Sequence, residues 1–172
     1  MPDTHYVITA VGNIYTPDGT LRYQDEQVVA RLQTGQDGTA TTEPLYLGTF
    51  KISEEKAAHG MVISNEIKTV ELTYAGENIE MTSAEVSFYN ERQKAEISLS
   101  KIIEQNELFG IGNNGEILSV QFGLFADEEL TAADGSVIPK DGLLEIANCD
   151  ENGKAVFKTD IPVGAKLYVK EI

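Results

Sequence analysis

An all-β chain folded as two consecutive β-sandwiches is what this sequence predicts, on three grounds. Short segments rich in β-branched and aromatic residues recur along all 172 residues, bounded by turn signals. The pairs Asp18-Gly19, Asp37-Gly38, Asn114-Gly115, Asp134-Gly135 and Asn152-Gly153 favour tight turns and hairpins. The chain also repeats itself at a long interval, which a single domain of this length would not need.

Taken in order, the expected strands are Tyr6–Val11, Val28–Leu32, Leu47–Ile52, Val70–Tyr74 and Glu85–Tyr89, then Glu96–Ser100, Val120–Phe125, Leu143–Ala147, Ala155–Phe157 and Leu167–Val169. No long stretch holds a helical period; residues 53–59 are compatible with one or two helical turns or with a loop. Sandwiches are the usual outcome of such a pattern.

The repeat shows when the halves are laid over one another. Ile8-Thr9-Ala10, Ile14 and Asp18-Gly19-Thr20-Leu21 match Leu124-Phe125-Ala126, Leu130 and Asp134-Gly135-Ser136-Val137 at an offset of 116 residues. With a one-residue slip Asp37-Gly38-Thr39-Ala40 matches Asn152-Gly153-Lys154-Ala155, and at the original offset Leu47-Gly48 matches Val163-Gly164. The expectation is two copies of one module, residues 1–92 and 93–172, joined in the charged run Glu91–Lys94.

Composition narrows the function classes. With 28 acidic against 13 basic residues the net charge is −15, which argues against nucleic acid, because phosphate binding needs clustered Lys and Arg. A hydrophobic content of 41% suffices for a core. No stretch approaches the roughly 20 apolar residues of a membrane span, so no insertion in this segment is expected. The start, Met1-Pro2-Asp3-Thr4-His5, is polar and unlike a signal peptide; for an exported protein, signal and anchor would lie outside these residues. The single Cys149 cannot form an internal disulfide and reads as a small, semi-buried side chain.

Strand alternation singles out four polar residues. Residues two apart share a face. Phe50 and Ile52 point with Glu54, Val86 and Phe88 with Asn90, Ile97 and Leu99 with Lys101, and Leu167 and Val169 with Glu171. Each is the next inward step of an apolar face. A polar residue where a strand leaves the core is commonplace; four drawn only from Lys, Glu and Asn are harder to set aside, since a buried charge needs a partner.

These residues carry a family resemblance. Gly48-Thr49-Phe50-Lys51-Ile52-Ser53-Glu54, continuing through Gly60-Met61, resembles the glycine–aromatic–strand–Glu–loop–Gly signature of Cna B-type (SpaA-like, prealbumin-fold) domains. Val120–Phe125 is similar to that family's early core strand, Gly164–Glu171 to its Glu strand, Val86–Asn90 to its closing strand and Ile97–Lys101 to its opening strand. Ala58 and Met61 depart from the usual Pro and Tyr, and the last Glu strand carries one extra residue. The resemblance implies immunoglobulin-like or prealbumin-like sandwiches of a Gram-positive cell-wall adhesin or pilin. It also implies a self-made cross-link, in which an opening-strand Lys attacks a closing-strand Asn amide and releases ammonia, assisted by the Glu. Burial favours both the neutral amine and the protonated carboxyl that this needs, and proximity stands in for an external enzyme. Each module would react once, without turnover.

Under the same offset the first module carries Glu54 and Asn90, with its Lys falling before Met1. The second carries Lys101 and Glu171, with its Asn falling past Ile172. Neither set is complete, and no cross-link is expected within these residues. Lys101 and Asn90 are assigned to different sandwiches, and Lys94 shares its face with Glu96 and Ser98 and is expected to face solvent.

Other signals are weaker. His5 and His59 lie far apart in sequence, and no metal or cofactor is expected. Asp150-Glu151-Asn152-Gly153 lacks the ligand pattern of a calcium loop. Gly110-Ile111-Gly112-Asn113-Asn114-Gly115 reads as a hairpin loop before a strand, not a phosphate loop. Three functions compete: a surface stalk among neighbouring repeats, a binding module for host matrix protein or glycan with Tyr15, Tyr23 and Tyr46 as candidates, and an accessory domain of a secreted carbohydrate-active enzyme.

Overall fold

The computed structural model describes residues 1–132 and 134–172. Among the described residues every regular element is a strand, apart from one 3-10 turn at Glu116–Ser119. The chain divides into two compact units, Met1–Gln93 and Lys94–Ile172.

The first unit contains β1 (His5–Val11), β2 (Ile14–Tyr15), β3 (Leu21–Tyr23), β4 (Val28–Gln33), β5 (Gly48–Lys56) and β6 (Ile67–Leu72). Its main sheet is antiparallel in the order β4-β1-β5-β6, and β2 and β3 form a hairpin around Asp18-Gly19. Period-two patterning sets the register. Ile8 faces Ile52 and Ala10 faces Phe50 across the β1–β5 ladder. Those inward positions make a buried cluster of Ile8, Ala10, Ile14 and Phe50, over which Tyr23, Leu32, Val70 and Leu72 pack.

The second unit contains β7 (Ile97–Ser100), β8 (Gln121–Ala126), β9 (Leu130–Thr131), β10 (Val137–Ile138), β11 (Leu143–Asn148), β12 (Lys154–Phe157) and β13 (Leu167–Glu171). Its sheet runs β11-β8-β13, and a second, two-stranded sheet pairs β12 with β7. Phe122, Leu124, Ala147, Cys149, Ala155 and Phe157 form the core, with Ile97, Leu99 and Leu167 packed on it. Cys149 is fully buried rather than semi-buried, because its N–H extends the ladder by bonding to the Val120 carbonyl at 3.0 Å. Burial pushes its thiol above the ordinary value, and the charges of Asp150 and Glu171 add to this.

Several local expectations change. Residues 53–56 continue β5 instead of turning into helix, since Glu54 and Lys56 still find partners on β1. The fourth strand lies earlier than its apolar run suggests, at Ile67–Leu72, because pairing with β5 sets its limits. Residues 85–89 alternate in burial as a strand would, yet join no ladder. Before β8 the loop closes with an Asn106–Ile111 bridge and the 3-10 turn, which the turn residues did not announce.

Candidate functional site

In the first unit the site starts from an irregularity in β5. The β1–β5 register shifts between His5 and Tyr6, so that His5 faces Lys56 and Tyr6 faces Glu54. The extra residue, Glu55, turns outward to an ion pair with Arg31 at 3.2 Å. A bulge re-aims side chains in this way. It leaves Glu54 on the inner face, where it is one of the few buried charged residues, at 7% exposure.

Glu54 is not left unsatisfied. The Asn90 side-chain amide donates to both its oxygens, at 2.9 Å to Oε1 and 2.6 Å to Oε2, and to the Val62 carbonyl at 3.0 Å. The Ser64 backbone N–H donates to Oε2 at 2.6 Å. The carboxylate therefore lies against the nitrogen that would leave as ammonia, were the Asn90 amide attacked. The segment bearing Asn90 is tied down just beyond it: Val62 N–H donates to Glu91 O, and Gln93 N–H to Gly60 O, both at 2.8 Å.

Two side chains around this pair, Tyr6 and Lys68, were not singled out from the sequence. Tyr6, opposite Glu54, packs its ring against Phe88 with centroids 4.9 Å apart. Burial raises the Tyr6 phenol above its ordinary value, and the Glu54 charge raises it further. Lys68 shares the inner face of β6 with Val70 and Leu72. Its Nζ lies 5.5 Å from the Phe88 centroid and 3.0 Å from Glu66 Oε1. Its two-residue spacing from Val70 was the available signal.

In the second unit, Lys101 Nζ lies 2.7 Å from Glu171 Oε2, with the two side chains 33% and 50% exposed. The end of β7 is located by Gly153. This glycine is in the left-handed region (φ 75°), and the Lys101 carbonyl occupies the space a β-carbon would need. Gly153 O in turn accepts the Lys101 N–H at 2.8 Å. Asp150 closes that turn by accepting from the Asn152 and Lys154 N–H groups at 2.9 Å. Asn90 and Lys101 thus each bond to an acid of their own unit.

The remaining candidates fall out as follows. His5 and His59, remote in sequence, line one cleft with Asp3, Gln33 and Lys56, yet among the described residues no group of three potential ligands could hold a metal. Tyr23 packs edge-on to Tyr46 and to Phe50, and Arg22 lies over Tyr46 at 4.9 Å. Tyr15 takes the alternate position of its strand, because it is Ile14 that pairs with Tyr23. Among the described residues no helix is long and apolar enough to cross a membrane.

Residues 10–86 match the family model described as SpaA, prealbumin-like fold domain. The match falls within the first unit, and that family is typical of pilin and surface-protein stalks. Among solved structures, the Bacillus anthracis TIE protein is similar over 100% of this chain and 25% of its own, with a TM-score of 0.52 and 18% identity. At that identity the likeness is one of fold, and the chain spans about a quarter of that protein's length. No curated protein matches.

Proposed function

We propose that the chain is a stalk segment of a Gram-positive cell-surface adhesin or pilin-like protein, made of two copies of one SpaA-type module and stabilised by Lys–Asn isopeptide bonds. One observation carries the chemical part: the Asn90 amide held on the buried Glu54 carboxylate. In this reading Glu54 and Glu171 are the promoting acids, and Asn90 and Lys101 are cross-linking residues whose partners belong to sequence beyond this segment.

The duplication is supported element by element. At the offset of 116, β2 and β3 fall on β9 and β10, β1 falls on β8, β4 on β11 and β5 on β13. The central strand of each unit pairs with the same two neighbours, β4 and β5 in one and β11 and β13 in the other. The module boundary falls at residues 92–93 in this reading. Host matrix protein or glycan would be met by other parts of the parent protein. The reading involves no cofactor and no turnover.

For bond formation, an amine nitrogen attacks Asn90 Cγ, the C–N bond to the amide nitrogen breaks, and that nitrogen leaves as ammonia after proton transfer through the carboxyl. Lys68 is poorly placed to serve, since its ammonium is engaged by Glu66 and the Phe88 ring. Intact mass tests the proposal. These 172 residues should keep their full mass, and a chain extended at both ends should lose one ammonia per module. Lys101→Ala should abolish one of those losses. An extended chain of unshifted mass would remove the cross-link, and ammonia loss from these residues alone would point to Lys68.

A further inference from the structure

Residues 85–90 present a puzzle of positioning. They join no ladder, and backbone hydrogen bonds tie down the far side of the segment, at Glu91 and Gln93. Yet Asn90 meets Glu54 through two short hydrogen bonds. Something must hold the near side against the sheet, because ordering an unpaired segment has an entropic cost at every residue.

Phe88 is the only aromatic ring of the segment on the same face as Asn90; Tyr89 points outward. The Phe88 ring meets the Tyr6 ring at 4.9 Å and the Lys68 ammonium at 5.5 Å. Tyr6 in turn is fixed on β1, directly opposite Glu54. One strand position thus stands opposite the acid and grips the segment that carries the amide. Its ring anchors the residue two before the amide, and its backbone is the ladder partner of the acid.

We infer that Tyr6 is the positioning residue of this site: by gripping Phe88 it assembles the Asn90–Glu54 pair before any amine is present. The inference rests on the reading of that pair as the acceptor half of a cross-link. It assigns Tyr6 no contact with the reacting nitrogen. The aromatic face is the active part, and the hydroxyl is dispensable.

Hydrogen exchange of the Asn90 side-chain amide in this chain, followed by NMR, provides the test. Tyr6→Ala should speed that exchange about two- to tenfold, the worth of an aromatic pair, while the backbone amides of Ile8 and Ile52 keep their protection. Tyr6→Phe should restore the parental rate, which a merely general loss of packing would not separate. Should Tyr6→Ala fail to fold, Tyr6→Leu keeps apolar bulk without the ring face and should still exchange faster than Tyr6→Phe. Unchanged exchange in the Ala or Leu variant, or a Phe variant as fast as either, would overturn the inference. Glu54→Gln separates the two levels. If it leaves the Asn90 resonance unmoved, the pair itself is misread; if it moves the resonance while Tyr6 variants do nothing, only the role of Tyr6 falls.

Discussion

The two units keep their acids in different surroundings. The first holds an acid and an amide, with the acid at 7% exposure. The second holds an amine and an acid in a pair that is one-third to one-half exposed. Glu54 and Glu171 each sit near the end of a strand, β5 beside β1 and β13 beside β8, so strand position alone does not bury them. The difference lies in what covers each one. The Ser64 N–H and the Asn90 amide both donate to Glu54, with the Val62 carbonyl accepting from Asn90 beside them, whereas Glu171 accepts from the partly exposed Lys101 ammonium. The second layers differ as well. In the second unit β12 pairs with β7; the matching stretch of the first, residues 39–44, joins no ladder, and among the described residues it has no counterpart of β7.

The largest effects should come from the cores. Phe50→Ala in the first unit and Phe157→Ala in the second each empty a fully buried site and should cost about 3–5 kcal/mol. Hydrogen exchange should localise each loss, to β1 and β5 amides for Phe50 and to β8 and β12 amides for Phe157. A loss spread evenly over both units would break the comparison.

Removing the acids should separate the units more finely. Glu54→Gln sets an amide donor against the Asn90 and Ser64 donors and should cost about 1–3 kcal/mol, as for a buried polar group left ill-matched. Glu171→Gln loosens an exposed ion pair and should cost about 1 kcal/mol or less. Urea unfolding of the two variants decides it, and equal costs would mean that the cover over Glu54 has no energetic weight.

A smaller effect concerns Cys149. Burial first, then Asp150 and Glu171, hold its thiol above the ordinary value, so at neutral pH it stays protonated and shielded. Alkylation by iodoacetamide should be slow in the folded chain and rise to the rate of a free thiol in urea. Fast labelling of the folded chain would show that this core opens readily. The smallest effect is an acid titration at the first hairpin. Asp18 is drawn down to about 2, chiefly by the Thr16 hydroxyl and then by Thr20. A depressed carboxyl contributes stability above its unfolded value of about 3.9, and the contribution is lost as the pH falls through the folded value. The Thr20 amide resonance should follow that titration, whereas a midpoint near 3.9 would mean that the turn is not formed.

Much of the fold was legible because strand alternation is a local property. Ile8, Ala10 and Phe50 are buried where two-residue spacing puts them, and the Asp-Gly pairs at 18–19 and 134–135 sit in the hairpins β2–β3 and β9–β10. Lys68 is hidden from the sequence pattern because the apolar run begins at Val70, whereas the strand itself begins at Ile67. The same rule extended two residues back would have found it.

By itself, then, the sequence determined the class of structure, the turns and the inward face of Glu54, since each follows from neighbours a few residues away. Only the tertiary structure decided that Glu54 is covered and Glu171 is not, that Tyr6 stands opposite Glu54, and that residues 85–90 reach the site without a ladder. Those outcomes depend on the register between strands more than 40 residues apart and on one bulged residue in β5. Alternation within a single strand carries no record of either.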